Sequence, residues 1–116
     1  MRSCLIAATM GSALLLSGCH SKYIQATITN RSGAPLHVVQ VEYPSASFGT
    51  QELRPGESFH YRFKLLGSGP VKLSFTDAAK HDHQQTGPTL NEGQEGRLQI
   101  EFSSQTHADF QTSVRP

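Results

Sequence analysis

Two histidines stand two residues apart in His81-Asp82-His83, within a chain of 116 residues that carries six histidines. On an extended segment, side chains two apart project to the same side. Two imidazoles could therefore share one divalent metal ion, with Asp77 or Asp82 as a further oxygen ligand. The same residues equally suit a polar edge strand and turn, where charge discourages pairing with other chains. A lone His-x-His lacks the third and fourth ligand spacing that makes a zinc motif specific. His20, His37, His60 and His107 are scattered at positions that read as outward-facing. A second candidate is Tyr43-Pro44-Ser45-Ala46-Ser47-Phe48-Gly49, which sets two aromatic rings around a loop. Tyr43 and Phe48 could contact a partner or a glycan there, or close the end of a small core. No spacing in the chain organises nucleophile, base and acid: Gly-x-Ser-x-Gly, His-Glu-x-x-His and a phosphate-cradling glycine loop are all missing. The expectation is a protein that is not an enzyme and has no cofactor beyond that divalent metal.

The segments that would position these residues alternate with a period of two, the signature of half-buried strands. Ile24, Ala26 and Ile28 alternate with polar residues. Leu36 to Tyr43 is Val-rich, and the adjacent pair Val38-Val39 breaks the alternation, which suggests a bulge or a strand buried on both faces. A short strand is expected near Thr50–Leu53. Phe59, Tyr61, Phe63 and Leu65 alternate with His60, Arg62 and Lys64; Val71, Leu73 and Phe75 follow; Leu98, Ile100 and Phe102 form the last apolar series. His81 to Thr86 reads as a weak edge strand, and residues 87–96 as a loop. Arg54-Pro55-Gly56-Glu57 is a tight turn, with Pro fixing φ and Gly supplying a positive φ. Asn30-Arg31-Ser32 matches a glycosylation sequon inside a turn cluster that runs to Pro35. Nothing has helical period after residue 22. The reading is all-β: an immunoglobulin-like β-sandwich of about seven strands over 23–103, followed by a loose polar tail, 104–116.

The chain opens with Arg2, then an apolar run from Leu5 to Leu16, then Leu16-Ser17-Gly18-Cys19. Basic end, apolar core and small residues in that order form a secretory signal. The run is shorter than the ~20 residues that span a bilayer. Leu16-Ser17-Gly18-Cys19 resembles the lipobox of bacterial lipoproteins. The resemblance implies cleavage after residue 18, acylation of Cys19 and a tether of residues 19–22. Two or more acyl chains suffice for stable anchoring. In Gram-negative lipoproteins an Asp after the acylated Cys resembles an inner-membrane retention signal; His20 stands there, which implies the outer membrane, facing the periplasm. Leu53-Arg54-Pro55-Gly56-Glu57-Ser58 resembles the Leu-x-Pro-Gly-Glu turn of bacterial Ig-like modules, although Trp and a Cys pair are missing. In a bacterial protein Asn30-Arg31-Ser32 reads as a turn.

Without residues 1–18 about 98 of the 116 residues remain, enough for one domain. Cys4 leaves with the signal and Cys19 is acylated, so the domain holds no thiol and no disulfide. Ten basic residues face nine acidic ones, and Arg2 also leaves with the signal. A neutral, interspersed surface argues against nucleic acid and against electrostatic membrane binding. The expected role is a non-catalytic binding or structural accessory of an envelope complex, held to the membrane by the lipid on Cys19. The alternative is a periplasmic metal-binding lipoprotein using His81 and His83.

Overall fold

The computed structural model describes residues 22–116; the signal segment 1–18, Cys19 and His20 lie outside the described residues. Eight strands follow in order: β1 Ile24–Asn30, β2 Leu36–Tyr43, β3 Ala46–Leu53, β4 Ser58–Phe63, β5 Gly69–Thr76, β6 Asp82–Leu90, β7 Glu95–Phe102 and β8 Ala108–Arg115. They form two four-stranded sheets, β4-β1-β7-β8 and β3-β2-β5-β6. β1 pairs with β7 in parallel, and the other pairings are antiparallel. In a constant-type immunoglobulin domain the first two strands pair within one sheet; here β1 and β2 lie in opposite sheets.

The core is what alternation dictates. Ile24, Ala26 and Ile28 of β1, Val71, Leu73 and Phe75 of β5, and Leu98, Ile100 and Phe102 of β7 are buried between the sheets. The broken alternation in β2 is a bulge. Leu36 and Val39 are both buried although three apart, and the register against β5 shifts between His37 and Gln40. Val38 takes φ 48° and turns its side chain outward, 52 % exposed, a costly conformation for a β-branched residue. β3 keeps in step, burying Phe48 and then Leu53, so its pairing with β2 runs without a shift. Gly49 permits this: a Cβ there would run into the Val39 carbonyl oxygen. The Pro55-Gly56 turn forms as its sequence requires, with Gly56 at φ 81° and the Glu57 amide donating to the Arg54 carbonyl at 3.0 Å.

Three expectations need correction. Residues 104–116 are not a loose tail: β8 pairs with β7 over its whole length, from Glu95 opposite Arg115 to Phe102 opposite Ala108. The strand is an outer edge, so only Ala108, Phe110 and Val114 turn toward the core, and its polar outer face hides the pattern. β3 begins at Ala46, not near Thr50, and β6 extends through Gly87 and Pro88 to Leu90. An edge position tolerates that proline. Gly87 is needed because the Phe110 ring lies where its Cβ would be, at 2.7 Å.

Each strand runs between two poles. The N-terminal pole gathers the start of β1, the β2–β3 turn, residues 64–68 and the turn 91–94. The far pole gathers residues 31–35, 54–57, 77–81 and 103–107. Asn30, fully buried, ties the far pole together. Its Nδ2 donates to the carbonyls of Leu53 at 2.8 Å and Ala34 at 2.9 Å, and its Oδ1 accepts from the amide and hydroxyl of Ser32 at 2.9 and 2.6 Å. Gln105 extends the network. Its Nε2 donates to Ser32 Oγ at 2.6 Å, and its Oε1 accepts from the Ala78 amide at 2.7 Å. The sequon asparagine is thus a structural hub, its amide nitrogen already donating to two carbonyls.

Candidate functional site

The far pole brings Asp77, His81 and His83 together in a hydrogen-bonded cap. Asp77 follows β5 and caps the turn into β6. Its Oδ1 accepts from the His81 amide at 2.9 Å, and its Oδ2 accepts from His83 Nε2 at 2.8 Å. Lys80 closes the turn at φ 68°, its amide donating to the Asp77 carbonyl at 3.0 Å. The His83 ring lies flat against Phe75, with centroids 5.0 Å apart. His81 precedes the strand and is exposed, and its Nδ1 stands 3.6 Å from Asp77 Oδ2, the same oxygen that His83 bonds. Asp82 points elsewhere, accepting from the Thr76 hydroxyl at 2.7 Å. Among the described residues no group of three or more His, Cys, Asp or Glu is arranged to hold a metal ion.

The His83 hydrogen bond, and after it the His81 amide, hold the Asp77 carboxyl below its ordinary value of 3.8. The folded state therefore binds fewer protons than the unfolded one in that range. The contribution of this carboxylate to stability is present above pH 3.8 and is lost as pH falls through the lower folded value. Thermal melts of wild type and Asp77→Asn should differ while the carboxyl is ionised, and the margin should close as pH falls below 3.8. A margin that does not change with pH would show that the charge is idle.

Tyr43 and Phe48 do not flank an open binding loop. They belong to β2 and β3, joined by the tight turn through Pro44 and Ser45. Phe48 is buried, stacked on Tyr61 at 4.5 Å and 5.5 Å from Phe63. Tyr43 stacks on Phe63 at 4.1 Å, and burial raises its hydroxyl pKa. The rings seal the edge where β3 meets β4, so no face of Phe48 is left for a partner. The reason is register: position 48 lies opposite Val41, an inward residue.

A polar cleft of about 600 Å³ escapes the sequence reading altogether. It lies on the outer face of the β4-β1-β7-β8 sheet, at the N-terminal pole. Register places Gln25 between Arg62 and Arg97, and Arg97 opposite Ser113. One step closer to the pole, Arg115 pairs with Glu95 at 3.2 Å. The Arg62 guanidinium lies 4.5 Å from the centre of the Tyr23 ring, a cation–π contact that fixes its plane. The floor is Gly96, at φ 140°, where a Cβ would strike the Ser113 carbonyl oxygen. All three arginines are exposed. Three arginines against one carboxylate line the cleft, and that excess of positive charge suits an oxyanion such as a phosphate. They come from three strands, each reading as an ordinary outward-facing position, so no local pattern announces them.

No family model matches the chain, and no curated protein or solved structure is significantly similar to it. What is shown is the class of protein: its described residues form a small all-β sandwich of eight strands. Among the described residues no helix is long and apolar enough to cross a membrane.

Proposed function

We propose that this chain is a lipid-anchored envelope protein with a non-catalytic binding or structural accessory role. It is held by acyl chains on Cys19 at the outer membrane, with its domain in the periplasm. The observation that carries the reading is Leu16-Ser17-Gly18-Cys19 at the end of a short apolar run. The fold is compatible with it: β1 begins at Ile24, so the tether is only a few residues long. The far pole then points away from the membrane and presents its loops to a partner. Those loops are preorganised by Asn30 and Gln105, which lowers the ordering cost of binding. A non-catalytic role fits the use of the polar groups there, since Asn30, Asp77, His83 and Gln105 all hold the fold together.

Purification from envelope membranes tests the reading. The intact mass should correspond to cleavage before Cys19 plus acyl chains, and a partner should copurify in fixed proportion. A mass without acyl chains removes the anchor; an acylated protein that is monomeric under every mild extraction removes the accessory role.

A further inference from the structure

Residues 22–116 are electrically balanced as a sequence, with nine basic and nine acidic residues, but the fold sorts these charges by pole. The N-terminal pole and adjoining strand halves hold Lys22, Arg62, Lys64, Lys72, Arg97 and Arg115 against Glu42, Glu92 and Glu95. Six cations against three acids leave a net +3. The far half holds Arg31, Arg54 and Lys80 against Glu52, Glu57, Asp77, Asp82, Glu101 and Asp109, a net −3. Strands of about eight residues separate the poles by roughly 25 Å. This exceeds the screening length of ~8 Å at physiological salt, so each pole acts on its surroundings as a separate charge.

We infer that the N-terminal pole is a docking face for anionic phospholipid, with the cleft between Arg62, Arg97 and Arg115 receiving a headgroup phosphate. The inference rests on the anchor reading for the place of the bilayer, and two further observations agree with it. Five residues from Cys19 to Ile24 reach at most ~18 Å, so this pole stays close to the acyl chains. Leu66, in the loop from β4 to β5 at the same pole, is 69 % exposed, an apolar tip set among cations as at a membrane interface. The acidic far pole is repelled by the same surface. The acyl chains supply attachment, and the charge separation supplies orientation.

The test uses the protein purified from membranes and reconstituted in vesicles of phosphatidylcholine alone or with one-third phosphatidylglycerol. A fluorophore on Leu66→Cys or, at the far pole, Ala79→Cys reports quenching by lipids carrying a headgroup quencher. The Leu66→Cys probe should be quenched strongly with phosphatidylglycerol and weakly without it, and the Ala79→Cys probe in neither case. High salt, or Arg62→Gln with Arg97→Gln, should remove most of the difference. Equal quenching in both vesicles, or quenching unmoved by the arginine substitutions in a protein whose circular dichroism is unchanged, overturns the docking face and leaves the anchor standing. Intact mass reports the anchor separately. A protein without acyl chains should still sediment with the anionic vesicles alone. The two substitutions should then weaken its binding roughly 25-fold, at about fivefold per arginine; unchanged sedimentation overturns the inference in that case too.

Discussion

Replacing Asn30 with alanine is expected to destabilise the domain by about 3 kcal/mol, lowering its midpoint of thermal unfolding by roughly 10–20 °C. Asn30 makes four hydrogen bonds from a fully buried position. The Ala34 carbonyl keeps other donors, from Ser32 and Gln105. The Leu53 carbonyl has no such substitute and would be buried without its side-chain partner, a loss worth about 1–3 kcal/mol. The Ser32 amide and hydroxyl lose their acceptor as well. Asn30→Asp is the sharper variant. It keeps an acceptor for Ser32 but turns a carboxylate oxygen toward two carbonyl oxygens, so it should be at least as damaging at neutral pH. Equilibrium denaturation measures both, and a loss under about 1 kcal/mol for either would show that the hub is dispensable. The same geometry predicts that folded protein offered to an oligosaccharyltransferase is not modified at Asn30, although the unfolded chain presents an intact sequon.

The parts of the fold that were legible are those where burial follows one face of one strand. β1, β5 and β7 alternate cleanly because each is a central strand whose inner face is wholly apolar. The phase break at Val38-Val39 marked the bulge, since two adjacent valines cannot both face inward on a regular strand. Illegible strands are illegible for a common reason: they lie at sheet edges. β3, β6 and β8 are terminal strands of their sheets and carry Thr50, Gln85 and Thr112 among their inward positions, whereas β4, also terminal, keeps the apolar series Phe59, Tyr61 and Phe63. β8 did carry a faint signal, Ala108, Phe110 and Val114 two and four apart, but Thr112 breaks the series. Gln85 shows what such a polar residue does inside an edge strand. Its side-chain amide bonds both the amide and the carbonyl of Ala108, joining the two sheets where no strand pairing can.

The candidate sites divide along the same line. Period-two reasoning placed His81 and His83 on one side, and both do approach Asp77 Oδ2, though from a turn and a strand rather than from one strand. β6 begins at Asp82, so His81 belongs to the turn and Asp77 reaches across it. Proximity of the three residues was legible, and the hydrogen-bonded cap they form was not. The arginine cleft depends on pairing between β4, β1, β7 and β8, which sets Gln25 beside Arg62 and Arg97, positions far from it in sequence. Charge balance along the chain says nothing of it, because the sign of each residue matters only once the topology has assigned it a pole.

Deleting residues 104–116 separates the two readings of the C-terminal segment most sharply. A loose tail could be removed at no cost. As β8, the segment contributes a buried Ala108, the partly buried Phe110 and Val114, and the Gln105 bridge to the far-pole loops. Its apolar side chains alone are worth about 5 kcal/mol. The backbone hydrogen bonds to β7 and the entropy of ordering the strand roughly cancel. A domain of this size has only about 5–14 kcal/mol to lose, so the truncated chain should unfold without a cooperative transition or melt far below the full chain. A midpoint within a few degrees of wild type would refute β8 as part of the core. Full-length variants remove the ambiguity of a failed fold. Phe110→Ala should cost about 2 kcal/mol, less than a fully buried phenylalanine. Gly87→Ala should destabilise only while the Phe110 ring occupies the space of its Cβ. If Gly87→Ala is harmful alone and neutral beside Phe110→Ala, the two residues are in contact across the sheets. That coupling can arise only if β8 is folded against β6.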